Sequence, residues 1–106
     1  MAKTQFIRFL GDSPKVRILD TLITGRELEY SITEISNQAE VSRATFYRLL
    51  NEMLKYKVIL PTKKYGTIQL YQLNQKNKNV KELVKLYDKI IRHKLKAVAI
   101  TSLNRQ

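Results

Sequence analysis

The chain contains no cysteine, and its longest apolar run is only a few residues. Without cysteine it can form neither a disulfide framework nor a thiolate metal site. The apolar runs are too short for a membrane-spanning helix, and the N-terminal MAKTQFIRFLGDSPK lacks the apolar length and cleavage site of a signal peptide. We therefore expect a cytoplasmic protein with no membrane partner.

Catalytic motifs are missing as well. The sequence offers no Ser/His/Asp set, no phosphate-binding glycine loop and no carboxylate dyad. Its single histidine, His93, lies in a lysine-rich segment and is expected to be exposed. These absences predict no catalytic residue, no metal site, no cofactor and no enzymatic activity.

What the chain does have is an uneven excess of positive charge. Its 106 residues, 43% of them hydrophobic, suffice for one compact core, and the formal net charge is +11. Residues 1–40 hold five basic and six acidic side chains, whereas residues 41–106 hold fifteen basic and three acidic ones. A basic half of this kind favours a polyanionic partner, because lysine and arginine release counterions condensed on phosphates. The alternative is a solvated basic surface that binds nothing.

A helix, a three-residue turn and a second helix are predicted for residues 33–55, which read TEISNQAEVSRATFYRLLNEMLK. Thr33 is the expected N-cap of the first helix and Ser42 that of the second. Ile35 and Ala39, four residues apart, form the apolar side of the first helix. The apolar side of the second helix consists of Phe46, Leu49, Leu50, Met53 and Leu54.

The other side of the second helix carries positive charges, a small residue and hydrogen-bonding tips, which suit the major groove of DNA. Arg43 and Arg48 lie about 140° apart around an α-helix, so we expect one to contact a base and the other the backbone. For Tyr47, a contact with a thymine methyl group and packing in the core are equal alternatives. The predicted DNA-binding residues of this helix are Ser42, Arg43, Ala44, Thr45, Tyr47, Arg48, Asn51 and Lys55.

Turn and strand patterns extend the prediction on both sides of these two helices. Ser13-Pro14 predicts the start of an earlier helix that ends near Gly25, and residues 29–32 suit one short strand. Residues 58–64 and 67–73 are β-rich and flank Tyr65-Gly66, which predicts a hairpin. Pro61 lacks an amide donor and is expected at an edge position or a bulge of that hairpin.

A long amphipathic helix is predicted for residues 79 to about 101. Its apolar stripe is too long for a domain of this size to cover alone, so we expect it to pair, antiparallel or crossed, with the same helix of a second copy. The alternative is that the helix folds back onto its own domain. The predicted dimer interface consists of Val80, Val84, Tyr87, Ile91 and Val98, with Phe6, Ile7, Phe9 and Leu10 packed against it.

These motifs together resemble winged helix-turn-helix transcription regulators of the ArsR/MarR-like type, especially small archaeal ones. FLGDSPKVRILDTLI resembles the opening helix of that family, SITEISNQAEVSRATFYRLLNEM its helix-turn-helix, and residues 63–70 its wing. The resemblance implies an α+β, mostly α fold: a winged helix-turn-helix in residues 1–75 and a C-terminal dimerisation helix in residues 76–106, within one compact unit. Like the wings of that family, Lys63, Lys64 and Tyr65 would contact an adjacent minor groove or phosphate strand; the alternative is a solvated edge strand.

The chain departs from the resembled family at two points. Glu40 stands where glycine is commonest in the turn, which leaves the length and winding of this turn open. The absence of cysteine and the single histidine remove the ligand sets of metal-sensing members, so metal sensing is not implied.

The sequence thus predicts a sequence-specific regulator that binds double-stranded DNA as a homodimer and is associated with the nucleoid. The alternatives are a nonspecific architectural or partition-type DNA-binding protein, a double-stranded RNA binder, and an interaction module without DNA affinity. No small-molecule effector can be named from the sequence.

Overall fold

The computed structural model describes the secondary structure of residues 3–104 and the side chains of residues 3–97. The helices and strands follow the order α1 (Gln5–Leu10), α2 (Pro14–Thr24), α3 (Ile32–Ala39), α4 (Arg43–Lys55), β1 (Ile59–Tyr65), β2 (Ile68–Leu73) and α5 (Lys78–Asn104). In the described part of the chain, no helix is both long enough and apolar enough to cross a membrane.

The first helix, α1, is one that the sequence pattern does not predict. The Thr4 hydroxyl caps it by accepting a hydrogen bond from the amide of Ile7 at 3.2 Å. Phe6 and Ile7 are fully buried in the core of their own chain, so their predicted place at a dimer interface is wrong. A helix of six residues makes fewer than two turns, which is too short to show helical periodicity in the sequence.

Helix α2 confirms the predicted start at Ser13-Pro14 and the predicted end at Gly25. The Ser13 hydroxyl accepts from the amide of Val16 at 3.2 Å, and the amide of Gly25 donates to the carbonyl of Thr21. The hydroxyl of Tyr30 occupies the space that a side chain at Gly25 would need. Glycine is therefore required here by close packing, in addition to its value at a helix end.

The helix-turn-helix forms as predicted, except at its first residues. Ser31, not Thr33, is the N-cap of α3: its hydroxyl accepts from the Glu34 amide, and the Glu34 carboxylate accepts from the Ser31 amide. This reciprocal capping pair moves the helix start two residues upstream of the expected position. The turn to α4 has the predicted three residues, and Glu40 adopts the left-handed conformation, with φ 55°, that glycine would adopt more readily.

The strand expected at residues 29–32 is reduced to one bridge. Tyr30 and Tyr71 exchange both backbone hydrogen bonds at 2.8 Å, but Ser31 already caps α3. Too few extended residues remain between α2 and α3 for a longer strand. The bridge nevertheless attaches the hairpin to the helical body.

The predicted hairpin is present, with its turn shifted by one residue. Strands β1 and β2 pair antiparallel, and Gly66-Thr67 rather than Tyr65-Gly66 connects them. Gly66 has a φ of 60°, which a tight hairpin turn needs. Pro61 lies where the register shifts between Pro61 and Lys64, as expected for a residue without an amide donor.

One hydrophobic core joins residues from α1 to α5. Helix α5 begins after Asn77, whose side chain accepts from the amides of Asn79 and Val80, and it extends beyond the predicted end near residue 101. Tyr87 packs on Phe6 with ring centroids 5.1 Å apart, and its hydroxyl lies 2.7 Å from that of Thr24. The first half of α5 therefore folds back onto its own domain.

Candidate nucleic-acid interface

Helix α4 separates an apolar side from a polar one as its sequence predicts. Phe46, Leu50 and Met53 are buried in the core, while Leu49 and Leu54 pack against it. The opposite side, which we call the DNA face, consists of Arg43, Ala44, Tyr47, Arg48, Asn51 and Lys55, and all six are exposed. Tyr47 is 49% exposed, which rules out the alternative that it is a core residue.

The N-terminus of α4 is organised by Ser42. Its hydroxyl accepts from the amide of Thr45 at 3.1 Å and donates to the Thr45 hydroxyl at 2.8 Å. The cap leaves the first amides of the helix directed outward, where helix ends favour anions. Thr45 is only half-buried, so both hydroxyls remain accessible at this end of the helix.

The two arginines of the DNA face have different neighbours. The Arg43 guanidinium donates to the Tyr47 hydroxyl at 3.5 Å, and that of Arg48 donates to the Thr45 hydroxyl at 3.1 Å. Among residues 3–97, neither arginine is paired with a carboxylate. Their charges are therefore free to meet an anionic ligand.

The hairpin and α4 border a common recess of about 670 Å³. Arg43 and Tyr47 line it from α4, and Thr67 and Ile68 line it from the hairpin. The start of α3 contributes Ser31, Ile32 and Thr33 to the lining, and the remaining lining residues are Leu50, Gln69 and Tyr71. The tertiary structure thus brings two separately predicted segments to one side of the molecule.

Lys63, Lys64 and Tyr65 are exposed at the end of β1, as expected for a wing. The Lys63 ammonium lies 3.7 Å from the Glu29 carboxylate, a long contact between an exposed and a half-buried side chain that contributes little stability. None of these three side chains lines the recess described above. Two of them are nevertheless strand partners of residues that do, since Tyr65 pairs with Ile68 and Lys64 with Gln69.

Arg17 is a positioning residue that sequence reasoning missed. Its guanidinium donates to both carboxylate oxygens of Asp12, at 2.6 and 2.9 Å, and to the backbone carbonyl of Glu40 at 3.1 Å. The hydrogen bonds from Arg17, with a further contribution from Lys3, lower the pKa of Asp12 to about 2. Arg17 thereby ties α2 to the turn before α4, and no periodicity in the sequence signals a contact between residues 23 positions apart.

The predicted dimer interface is only partly available to a partner. Val80 and Tyr87 are buried in their own chain, which corrects their assignment to the interface. Val84 and Ile91 are half-buried against the same core, and Val98 lies outside the residues whose side chains are described. Among the side chains of α1 and α5 up to residue 97, the large apolar ones that remain exposed are Phe9, Leu10 and Leu95.

No metal-binding group of three or more His, Cys, Asp or Glu residues occurs in the described part of the chain. The lysines of α5 and of the segment before it are exposed: Lys76, Lys78, Lys81, Lys85, Lys89, Lys94 and Lys96. They extend the positive surface along the helix.

No protein-family model matches the sequence, and no curated protein sequence matches it. Several solved structures are similar. A mutant of Lactococcus lactis ZitR in complex with DNA is 17% identical, with a TM-score of 0.58 over 76% of this chain and 57% of the ZitR chain. This chain therefore spans little more than half the length of ZitR.

Two further structures match over more of their length. Sso10a-2, a DNA-binding protein from Sulfolobus solfataricus, is 17% identical, with a TM-score of 0.53 over 85% of this chain and 94% of its own. NadR in complex with 4-hydroxyphenylacetate is 16% identical, with a TM-score of 0.57 over 93% of this chain and 75% of its own. The likeness to these structures, together with the order of helices and the two-stranded hairpin, shows that the chain has the winged helix-turn-helix fold.

Proposed function

We propose that the protein is a sequence-specific regulator that binds double-stranded DNA as a homodimer. The observation that carries this proposal is the DNA face of α4, whose Arg43 and Arg48 are exposed and unpaired with any carboxylate in residues 3–97. The DNA complex of ZitR, which shares the fold, supports it further. The ArsR/MarR-like subtype and an archaeal source stay predictions of the sequence resemblance.

Each residue type has a defined task in the proposed complex. Arg43 or Arg48 contacts guanine O6 and N7 in the major groove, and such a two-point contact discriminates against a wrong base by roughly 1–3 kcal/mol. Ser42 and Thr45, at the N-terminus of α4, contact a phosphate oxygen. Lys63 and Lys64 neutralise phosphates beside the groove and contribute affinity without sequence preference.

The homodimer forms through the exposed apolar side chains of α1 and α5. Phe9, Leu10 and Leu95 are 67%, 43% and 64% exposed, and pairing with the same surface of a second copy would remove them from water. A twofold arrangement would place two copies of α4 about 34 Å apart, the spacing of successive major grooves on one side of the duplex.

Selection of bound duplexes from a random DNA pool tests the proposed function. A regulator of this kind should enrich one palindromic sequence and remain on it in a large excess of random DNA, because specific binding exceeds nonspecific binding by roughly 10³-fold or more. An architectural protein would instead exchange freely onto competitor DNA and enrich no motif. Enrichment of double-stranded RNA over DNA would also contradict the proposal.

A further inference from the structure

The tip of the hairpin carries an exposed apolar pair. Tyr65 and Ile68 are direct partners across the two strands and form the last pair before the Gly66-Thr67 turn. They are 63% and 54% exposed. Directly paired residues project from the same face of a ribbon with their Cβ atoms about 5 Å apart, so these two side chains form one apolar surface, the wing-tip pair.

A hairpin tip surrounded by water would be expected to carry polar side chains, because exposed apolar strands promote aggregation. The tip of this hairpin is apolar instead, and its neighbours are basic. Lys63 and Lys64 directly precede Tyr65, and both are exposed. An apolar surface flanked by positive charge is complementary to a groove with anionic walls and an apolar floor. Nucleic acid has this combination, since phosphates border each groove while sugars and base edges lie within it.

The position of the pair favours the minor groove of a duplex. Thr67 and Ile68 line the same recess as Arg43 and Tyr47, so a duplex that receives α4 in its major groove lies next to the hairpin tip. The ribbon extends three residues beyond Tyr71, which is buried, to reach Ile68. At about 3.3 Å per residue this reach is about 10 Å, more than the roughly 7.5 Å depth of a minor groove.

The width of the ribbon has a mechanical consequence. Paired strands lie about 4.8 Å apart before their side chains are counted, whereas the minor groove of B-DNA is about 6 Å wide. A tip that enters must therefore widen the groove. Apolar side chains that open a minor groove separate adjacent base pairs and bend the duplex toward the major groove by about 20–90°.

We propose that the wing-tip pair of Tyr65 and Ile68 enters the minor groove next to the α4 contact, partly unstacks one base step and bends the DNA. The inference rests on the proposed function and adds to it a defined bending element. It also adds a source of sequence preference, because TA and CA steps unstack more easily than A-tracts. Sites with such a step under the hairpin tip are bound more tightly.

The test uses the full chain and a duplex carrying the selected site, with a donor and an acceptor dye at its two ends. A second set of duplexes places 2-aminopurine at successive positions outside the α4 contact, where unstacking raises its fluorescence. The test variant is Tyr65→Ser with Ile68→Thr, which keeps a β-branched residue in the strand. Tyr56→Ser is the matched control, because Tyr56 is 60% exposed but lies at the other end of α4 from Ser42.

The wild type and the Tyr56→Ser control should bring the duplex ends closer and raise 2-aminopurine fluorescence at one step in each half-site. The double variant should bind with an unchanged salt dependence, because no charge is removed, but lose both signals and the preference for a TA or CA step. Binding by the wild type without bending would overturn this inference and leave the proposed function intact. Bending by the double variant equal to that of the wild type would overturn it as well, and no binding by the wild type to any duplex would overturn both proposals.

Discussion

Arg26 and Asp88, which are 62 residues apart in the sequence, form an ion pair through two hydrogen bonds of 2.8 and 3.1 Å. Arg26 is fixed on its other side by a hydrogen bond from its Nε to the carbonyl of Ile23 at 3.0 Å. The guanidinium also lies 6.0 Å from the centre of the Tyr87 ring. This ion pair joins the turn after α2 to α5.

Replacing Asp88 with Asn should therefore destabilise the fold at neutral pH. We expect the free energy of unfolding to fall by about 0.5–1 kcal/mol. Partial exposure of both side chains keeps the contribution of the ion pair small, whereas its two parallel hydrogen bonds make it larger than that of a single contact. Urea unfolding of the wild type and the variant measures it. Glu82→Gln is the control, since the pair of Glu82 with Lys85 is highly exposed and should contribute less.

The contribution of Asp88 should disappear in acid. Hydrogen bonding from Arg26 lowers the pKa of Asp88 in the folded state below its usual value. A lowered carboxyl pKa stabilises the fold above the ordinary value of about 3.9, and the stabilisation is lost as the pH falls through the folded-state value. A difference between wild type and Asp88→Asn that stays constant from pH 7 to pH 2.5 would contradict this account.

Asp20 should behave in the opposite way. It is buried on α2, where burial raises its pKa and a hydrogen bond of 2.8 Å from the Thr4 hydroxyl only partly compensates. The ionised carboxylate therefore costs stability above its folded-state pKa, and this cost vanishes as the pH falls through that value. We expect Asp20→Asn to stabilise the protein at pH 7 by on the order of 1 kcal/mol, and by less at pH 4.

Thermal or urea unfolding at both pH values tests this expectation. Asp12→Asn is the matched control, because Arg17 holds the pKa of Asp12 at about 2 and its replacement should destabilise the protein at pH 7. If Asp20→Asn were destabilising at pH 7, the hydrogen bond to Thr4 would outweigh the cost of burying the charge.

Leu95 should be required for the proposed dimer. Leu95→Asp puts a charge on the exposed part of α5 without touching the core, whereas Ile91→Asp would also disturb packing within the chain. We expect Leu95→Asp to be monomeric at micromolar concentration while keeping the helix content of the wild type, because an unpaired carboxylate in an interface costs several kcal/mol. Sedimentation and circular dichroism measure the two properties.

The matched control for Leu95→Asp is Leu28→Asp, since Leu28 is 55% exposed and lies outside α1 and α5. It should leave the dimer intact. A wild type that sediments as a monomer at micromolar concentration would remove the dimer from the proposal.

Replacing the wing lysines and replacing the α4 arginines should weaken DNA binding in different ways. Joint replacement of Lys63 and Lys64 with Ala should weaken binding to all duplexes alike and reduce the slope of log affinity against log salt by roughly 2. Arg43→Ala or Arg48→Ala should cost about 1–3 kcal/mol on the selected site and less on a scrambled one. Equal losses on both duplexes for each arginine variant would mean that α4 contacts only the backbone, and would favour the architectural alternative.

The side chains whose partners lie nearby in the sequence were predictable. The Ser13 and Ser42 caps, the apolar side of α4 and the bulge at Pro61 all follow from interactions within a few residues. The exposure of the polar side of α4 was predictable for the same reason, because the 3.6-residue period assigns each side chain to one side of a helix. The cap of α3 was predicted wrongly at Thr33, because the reciprocal contact between Ser31 and Glu34 starts the helix earlier.

The sequence by itself thus determined the order of the helices and the hairpin from α2 to α5, the basic half of the chain and which side of α4 is polar. Only the tertiary structure decided that Tyr47 is exposed, that Val80 and Tyr87 serve their own core, and that Tyr65 and Ile68 meet at the hairpin tip. The Arg17 contact with the turn and the Arg26 pair with Asp88 join residues that are distant along the chain. Local periodicity cannot reveal such contacts, because they depend on how whole elements pack and on the one-residue register of a turn.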